Sequence, residues 1–530
     1  MNNAELIART LEQAGVRWAF GIPSGPVLPL IEALRTSSIQ YVLTANETSA
    51  GFMASTVGSL TGIPGVCIST LGPGATNLAT GVGAAWLDGA PVIAITCNVA
   101  SAWLNRRVQM RIDHHKLFEP LTKASFALRA GSVAAPLSKA LLLATEERPG
   151  PVHLDLPEDV GRAPATEDLP AVAEPVCQAA LPDAVCREVE AALAKSRRPL
   201  LVAGLGFTRA KRPQRLVHFI ERQRLPFVLT LHAKGFLPES HPYYAGVIGR
   251  ARRSDVQRFV RQADLIIAVG YDEIEINYEE WAGDRPIVHV SSQKTETSED
   301  LRLRVNEAGD IDAAIEALAA LPQHTNAWQH SEIEAHVEAL ERALRPHSEF
   351  ATHHVLDTLR ARLGPDDILT YDVGAHTHQI ATQWRTDLPD TCISTNGWSS
   401  MGYGIPAAYA AKLVHPERTV VGVVGDGCFQ MTAGELTVAK RLGLAVPIVV
   451  LNDGRLSLLK VKQEHGHYGL SGVDLGERVP SPAHYFGVPC RGVRNEAELA
   501  RALDWALHLG GPSVIEAFVD GSSYSRTVYD

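Results

Sequence analysis

Hydrophobic positions along the chain alternate between short β-branched runs and longer stretches with helical spacing. The clearest case lies near the C-terminal end. Val420 to Val424 is an unbroken apolar run, read as a buried strand, and it stops at Gly425-Asp426-Gly427. Thr432 to Leu442 has helix-forming composition, with Glu435 near its start and Lys440 and Arg441 near its end, where the helix dipole favours each sign. Pro447 to Leu451 predicts a second buried strand, ending at Asn452. Asp426 and Asn452 would then stand at C-terminal strand ends, where open parallel sheets hold their ligands.

The same alternation runs through the rest of the chain. Leu6, Ile7, Leu11 and Ala14 share one helical face that Gly15 closes, and Val16 to Phe20 predicts a strand meeting the turn Gly21 to Pro26. A helix carrying Leu30, Ile31 and Leu34 and a strand from Ile39 to Leu43 place Glu47 at a strand-to-helix junction. A strand from Val66 to Ser69 ends on T-L-G-P-G-A-T-N, and a small-residue helix reaches Trp86. Ala163 to Pro182, rich in Ala, Pro and Glu, reads as a linker. A second unit starts at Arg198, with strands at Phe227 to Leu231, Leu265 to Val269 and Ile287 to Val290, and a polar helical connector from Gln323 to Ala343 leads into a third. The expected class is α/β: three doubly wound domains with parallel sheets, at 1–165, 185–322 and 345–530. The first and third share the order strand, glycine-rich turn, small-residue helix, strand, as a duplicated fold would.

Composition narrows the partners. With 45% hydrophobic and 20% charged residues, the 530-residue chain reads as an ordinary globular enzyme. Its net charge of -10 argues against nucleic acid. The seven cysteines (67, 97, 177, 186, 392, 428 and 490) form no C-x-x-C pair and suit a reducing compartment. The first residues form an amphipathic helix rather than a signal peptide, and no apolar run is long enough to span a bilayer. A cytoplasmic enzyme without a membrane partner is expected.

The chemistry at Asp426 and Asn452 suits a hard divalent cation held on a diphosphate. Asp426 offers an anionic oxygen, Asn452 a neutral one, and a loop carbonyl a third, while Mg2+ completes its octahedron with phosphate and water. Gly425 and Gly427 let the backbone approach the phosphates, and the amides opening the next helix favour anions. In the second unit, Gly204 and Gly206 form the first half of a dinucleotide fingerprint, but the third small position falls on Arg209 and no acidic ribose partner follows. A Rossmann-like domain without a dinucleotide is the expectation there.

Taken together, G-I-P-S-G-P, A-N-E-T-S-A-G, L-G-P-G-A-T-N, P-G-P-V-H-L-D-L-P, D-V-G-A-H, S-M-G-Y-G-I-P-A-A, G-D-G and N-D-G stand in an order that resembles the thiamine-diphosphate enzymes. The likeness covers nearly the whole chain and is nearest to the acetolactate-synthase-like branch, which includes benzoylformate decarboxylase. It implies pyrimidine-binding, central and diphosphate-binding domains, and active sites between the subunits of a homodimer or homotetramer. It implies that Glu47 activates the cofactor through a pyrimidine nitrogen, with Asn46 standing where relatives often carry histidine or glutamine. Met401 would prop the cofactor in its bent form. Gly374, Gly425 and Gly427 would line it, and Asp426, Asn452 and the Gly454 carbonyl would hold the metal. Gln109 matches the glutamine of the synthases' F-Q-E segment, but Met110 replaces their glutamate. Ser24, Gly25, Leu71 and Gly72 would face the substrate. His114, Lys460 and Gln463 are weaker candidates for the same role, since His114-His115 only superficially matches the histidine pair of simple decarboxylases. Flavin, carried by some relatives, is disfavoured by five acidic residues in V-G-Y-D-E-I-E-I-N-Y-E-E-W, although G-V-I-G-R-A-R-R-S pulls the other way. The short tail after Val519 is left to act as a lid. The expected reaction is decarboxylation of a small 2-oxo acid with transfer of the activated aldehyde to a carbonyl acceptor. The alternative is simple release of the aldehyde; a flavin-dependent oxidase or a non-catalytic scaffold is further off.

Overall fold

The computed structural model describes residues 1–173, 178–276, 280–296, 301–476 and 478–528. Within them the chain builds three parallel sheets. The first contains β1 (Trp18–Gly21), β2 (Gln40–Leu43), β3 (Gly65–Ser69), β4 (Val92–Asn98), β5 (Ala124–Ala127) and β6 (Pro151–Pro157), in the order β2-β1-β3-β4-β6-β5. The second contains β7 (Pro199–Ala203), β8 (Phe227–Leu229), β9 (Tyr244–Val247), β10 (Leu265–Val269), β11 (Ile287–Ser291) and β12 (Leu303–Ala308), in the order β12-β11-β10-β7-β8-β9. The third contains β13 (Ile368–Tyr371), β14 (Cys392–Ile393), β15 (Val420–Gly425), β16 (Pro447–Asn452), β17 (His484–Tyr485), β18 (Val488–Val493) and β19 (Ser513–Phe518), in the order β14-β13-β15-β16-β19-β18-β17. Only the β17–β18 hairpin is antiparallel. The first and third sheets share one strand order apart from that added edge strand, as the repeated pattern led us to expect.

Central strands such as β4, β7 and β10 are buried along their whole length, which accounts for their continuous apolar runs. The first and third domains do not keep separate cores. Phe20, Met53 and Ala54 share one apolar cluster with Ile405, Tyr409 and Val424. The helix Glu47–Thr61 lies at its centre. It meets the helix Pro73–Asp88 where a Cβ on Gly51 would come within 2.7 Å of the Gly81 Cα, so neither residue tolerates a side chain. Across the domain boundary, the Phe52 and Tyr403 rings stack edge to face at 5.5 Å, and Thr56 Oγ1 lies 3.0 Å from the Tyr403 hydroxyl.

Several expectations are corrected. The helix read from Thr432 to Leu442 is divided: a helix over Asp426–Thr432, a tight turn at Ala433–Glu435, then Leu436–Leu442. Glu435 stands just before the second of these helices, 1% exposed and turned onto the first domain. The connector is helical only over His330–Ala343, where Ile333 and Leu340 are buried and His336 Nε2 lies 3.0 Å from the Ala245 carbonyl of β9. The linker is anchored as well, since Glu167 accepts hydrogen bonds from the amides of Val133 and Ala134. The tail is docked rather than free: Tyr524 is buried and its hydroxyl lies 2.6 Å from Thr352 Oγ1. The six described cysteines are free thiols, and Cys177 lies outside the described residues. Among the described residues, no helix is long and apolar enough to cross a membrane.

Buried histidines tie stability to pH. His153, fully buried, lies between Thr96 Oγ1 at 2.8 Å and Ser125 Oγ at 2.7 Å and stacks on Phe118. Burial pushes its imidazole down to about 3, and that of His353 down to about 4. An unfolded histidine titrates near about 6.5. Between these values the unfolded chain takes up protons that the folded chain refuses, so stability rises with pH through the window and is lost on acidification. The thermal midpoint should therefore fall as pH drops from about 6.5 toward 4, and the fall should be shallower in His153→Asn. An identical slope in both proteins would exclude His153 as a contributor.

Candidate active site

The third domain contributes a cavity of about 220 Å3, lined by Gly374, His376, Met401, Asp426, Asp453 and Leu456 among others. All its lining residues come from 373–459 and Tyr524; none comes from the first domain. Asp426 enters it from the end of β15. Its two oxygens accept from the amides of Gly427 at 2.9 Å and Gly454 at 2.7 Å. Burial, with the neighbouring Asp453 adding to it, raises the Asp426 carboxyl to about 6. A carboxylate desolvated in this way favours a cation that holds it ionised. Asn452, at the end of β16, donates its amide nitrogen to Glu516 Oε1 at 2.7 Å, which leaves the amide oxygen as its free ligand atom. The Gly454 carbonyl accepts from the Leu475 amide at 3.0 Å and keeps a second lone pair.

The glycines in this half-site answer to close approach. A Cβ on Gly427 would lie 2.8 Å from Leu456 Cδ2 and 3.2 Å from Met401 Cε, so only glycine lets Met401 reach across the turn. His376 lies behind Gly374 and Gly425, and its buried Nε2 has no partner within the chain. Burial lowers that imidazole to about 4, against a bond to the Asp372 backbone that raises it, so it stays neutral. One carboxylate, one amide oxygen and one loop carbonyl beside glycines that let the backbone approach together fit a magnesium diphosphate.

The first domain holds Glu47 at the head of its helix. Asn46 caps that helix, accepting from the Thr48 amide at 2.8 Å, which gives its departure from the family pattern a structural role. Glu47 is buried, accepts from Asn77 Nδ2 at 3.0 Å through Oε2, and keeps Oε1 near Gly74. The buried hydroxyls of Tyr41, Ser69 and Thr70 nearby lack partners within the chain. Glu435 fixes the junction from the other domain, its carboxylate accepting from the Ala45 amide at 3.0 and 3.1 Å and from the Asn46 amide at 3.0 Å.

The remaining candidates divide. Leu71 is buried, and Met110, in left-handed conformation at φ 63°, packs its carbonyl under Gly72. This brings the exposed Gln109 turn to the L-G-P-G loop. His114 is also drawn there, but as a buried group: its Nε2 accepts from the Gly72 amide at 3.4 Å, and its Nδ1 lies 2.8 Å from Thr96 Oγ1 and 3.2 Å from Asp155 Oδ1. Gly25 is exposed, while Ser24 Oγ is buried without a partner. Gln463 spends both ends of its amide on the backbone of Ser471, and Lys460 lies 3.6 Å from Glu464.

Asn77, Asp372, His376, Glu435 and Glu516 were not singled out for these roles from sequence, although Asn77, Asp372 and His376 sit inside the quoted motifs. Asp372 matters most. Fully buried at the end of β13, it accepts from the amides of Val373 at 2.8 Å, Gly402 at 2.9 Å and Gly404 at 2.8 Å, which fixes the backbone immediately after Met401. Asp372→Ala strands those amides. It is expected to weaken magnesium-dependent binding of thiamine diphosphate by about tenfold or more in a fluorescence titration; wild-type affinity would remove Asp372 from this account.

Comparison with known proteins agrees with this geometry. The family model described as thiamine pyrophosphate enzyme, N-terminal TPP binding domain, matches residues 1–117. The central-domain model matches 186–318, and the C-terminal TPP binding domain model matches 372–517. The acetolactate synthase isozyme 1 large subunit of Escherichia coli (strain K12) is 30% identical, across 98% of this chain and 94% of its own length. The acetolactate synthase large subunit of Corynebacterium glutamicum is 34% identical across 87% of this chain and 76% of its own. The acetolactate synthase of Bacillus subtilis (strain 168) is 30% identical across 98% and 93%. The chain belongs to the thiamine-pyrophosphate-dependent enzymes, in their acetolactate-synthase-like branch.

Proposed function

We propose that the protein decarboxylates a small 2-oxo acid and transfers the activated aldehyde to a carbonyl acceptor, as the names of its relatives suggest. The observation that carries this reading is Glu47: a buried carboxylate with one oxygen held by Asn77 and the other unshared, in a chain similar to acetolactate synthases along 98% of its length. Bound thiamine diphosphate supplies an electron sink for loss of carbon dioxide. Glu47 holds a proton at the pyrimidine ring nitrogen, and Asp426, Asn452 and the Gly454 carbonyl hold Mg2+. Met401 would prop the cofactor's bend, and Gly374, Gly425 and Gly427 would let the backbone approach its diphosphate. The Leu71-Gly72 loop and the Gln109 turn form the substrate wall.

Because the cavity around Asp426 has no first-domain lining, a second copy of the chain would supply Glu47 to it, making a homodimer the smallest active unit and a homotetramer its pairing. The proposed domains are 1–165, 185–322 and 345–530, and the proposed compartment is the cytoplasm. The second reading, simple aldehyde release, is favoured by Met110, whose apolar side chain is 40% exposed where the synthases place glutamate.

Glu47→Gln should bind cofactor normally and lose about a hundredfold or more in turnover; full activity would contradict the assignment. Asp426→Ala should abolish magnesium-dependent cofactor binding, which an unchanged isotherm would refute. Carbon-13 NMR with labelled pyruvate and other 2-oxo acids should show a ligated product, whereas aldehyde and carbon dioxide alone would establish the second reading.

A further inference from the structure

In an open parallel sheet, a nucleotide is expected in the crevice where strand order reverses, with its phosphates on the amides of the first glycine turn. In the second sheet that place lies between β7 and β10. It is closed twice over. The Gly206 amide donates to the Gly270 carbonyl at 2.7 Å, which zips the two turns together. The Leu205 amide, the donor a phosphate would meet, is taken by Glu275 Oε2 at 2.7 Å. A Cβ on Gly204 would touch that same oxygen at 2.9 Å, and the Glu275 side chain is fully buried.

The cations are likewise committed. Arg209 pairs with Glu147 at 3.0 Å and Arg148 with Asp272 at 3.0 Å. Arg252 and Arg253, from the segment that favoured an anionic cofactor, donate to the carbonyls of Arg526 and Val528 in the C-terminal tail. Of the five acidic residues read as disfavouring flavin, Glu279 lies outside the described residues, and Glu275 is the one that fills the crevice. These residues do not fit a flavin or an adenine nucleotide.

Glu275 also reaches beyond its own domain. Its Oε1 lies 3.3 Å from His232 Nδ1, and His232 Nε2 lies 3.6 Å from Asp88 Oδ1 in the first domain. Asp88 in turn accepts from the amides of Asn396 at 3.2 Å and Gly397 at 2.7 Å, and from the Thr395 hydroxyl. The Glu275 carbonyl accepts from Asn396 Nδ2 at 3.0 Å and from Arg250 Nη2 at 3.3 Å, and Arg250 also donates to the Asn396 amide oxygen. Residues 395–397 begin the loop that ends at Met401. They are therefore gripped by the first domain through Asp88 and by the second through Glu275.

We propose that Glu275 takes the place of a nucleotide phosphate in the central crevice, converting it from a ligand site into the support that positions the Met401 loop. Glu275 is thus a positioning residue, acting on the cofactor site through its carbonyl on Asn396 and its carboxylate on His232. The function of the second domain in this chain is mechanical.

The test uses the full chain with Mg2+. Calorimetric titration of the wild type with ADP and with FAD should give no binding heat; stoichiometric uptake of either overturns the proposal, whatever reaction the enzyme catalyses. Glu275→Gln, of equal volume and without the charge, should raise the apparent Kd for thiamine diphosphate by about tenfold in a fluorescence titration. Asn396→Ala should do the same from the loop side, and it carries the test if Glu275→Gln fails to fold. The two effects should be non-additive in the double variant, because both release the one loop. Asp272→Asn, which removes a neighbouring acid outside the network, should keep wild-type affinity. Wild-type cofactor affinity in Glu275→Gln, or simple additivity with Asn396→Ala, overturns the positioning role.

Discussion

A buried carboxylate is tolerated only where donors surround it, and this chain uses that requirement to fasten its reactive loops. Glu435 holds the amides of Ala45 and Asn46 and so presents Glu47. Asp372 holds the amides of Gly402 and Gly404, directly after Met401. Glu516 turns the Asn452 amide so that its oxygen is free. Each acid sits on a different element from the group it positions, so removing one leaves stranded donors as well as a lost bond. These crossings add to the loops' own backbone bonds, such as that from the Leu475 amide to the Gly454 carbonyl.

The apolar core sets the same constraint at a larger scale. Because Met53 and Tyr409 belong to one cluster, the first and third domains cannot slide past each other without exposing it. Glycines at 51 and 81 bring two helices to backbone contact and fix where Glu47 begins. The shared core also leaves Glu47 outside the lining of the Asp426 cavity, which is why we propose that a second copy completes the site.

What was legible in the sequence was whatever depends on local pattern. β15 and β16, with Asp426 and Asn452 at their ends, follow from apolar runs rich in β-branched residues that stop at glycine or a polar residue. The strand-to-helix position of Glu47 and the repeated strand order of the first and third domains were equally accessible. Partners brought together by the fold were not. Nothing adjacent to Glu435 announces that it reaches Ala45, and the helix expected through it breaks at the turn Ala433–Glu435. His114 was a weak substrate candidate through its superficial match to a histidine pair, and no local pattern signals its contact with Asp155, from a strand far along the chain. Asn77, Asp372 and His376 stood inside motifs already noted, where only three-dimensional geometry separates a ligand from a spacer.

The central claim is that each active site joins Glu47 of one copy to Asp426 of another. It is tested most directly by subunit complementation. Glu47→Gln and Asp426→Ala chains are each inactivated, mixed, dissociated and reassociated in the presence of thiamine diphosphate and Mg2+. In a mixed dimer, one site receives an intact Glu47 from one chain and an intact Asp426 from the other. The account predicts that turnover reappears on mixing, while neither variant recovers when taken through the same cycle alone. Verified exchange of subunits with no recovered turnover would contradict it.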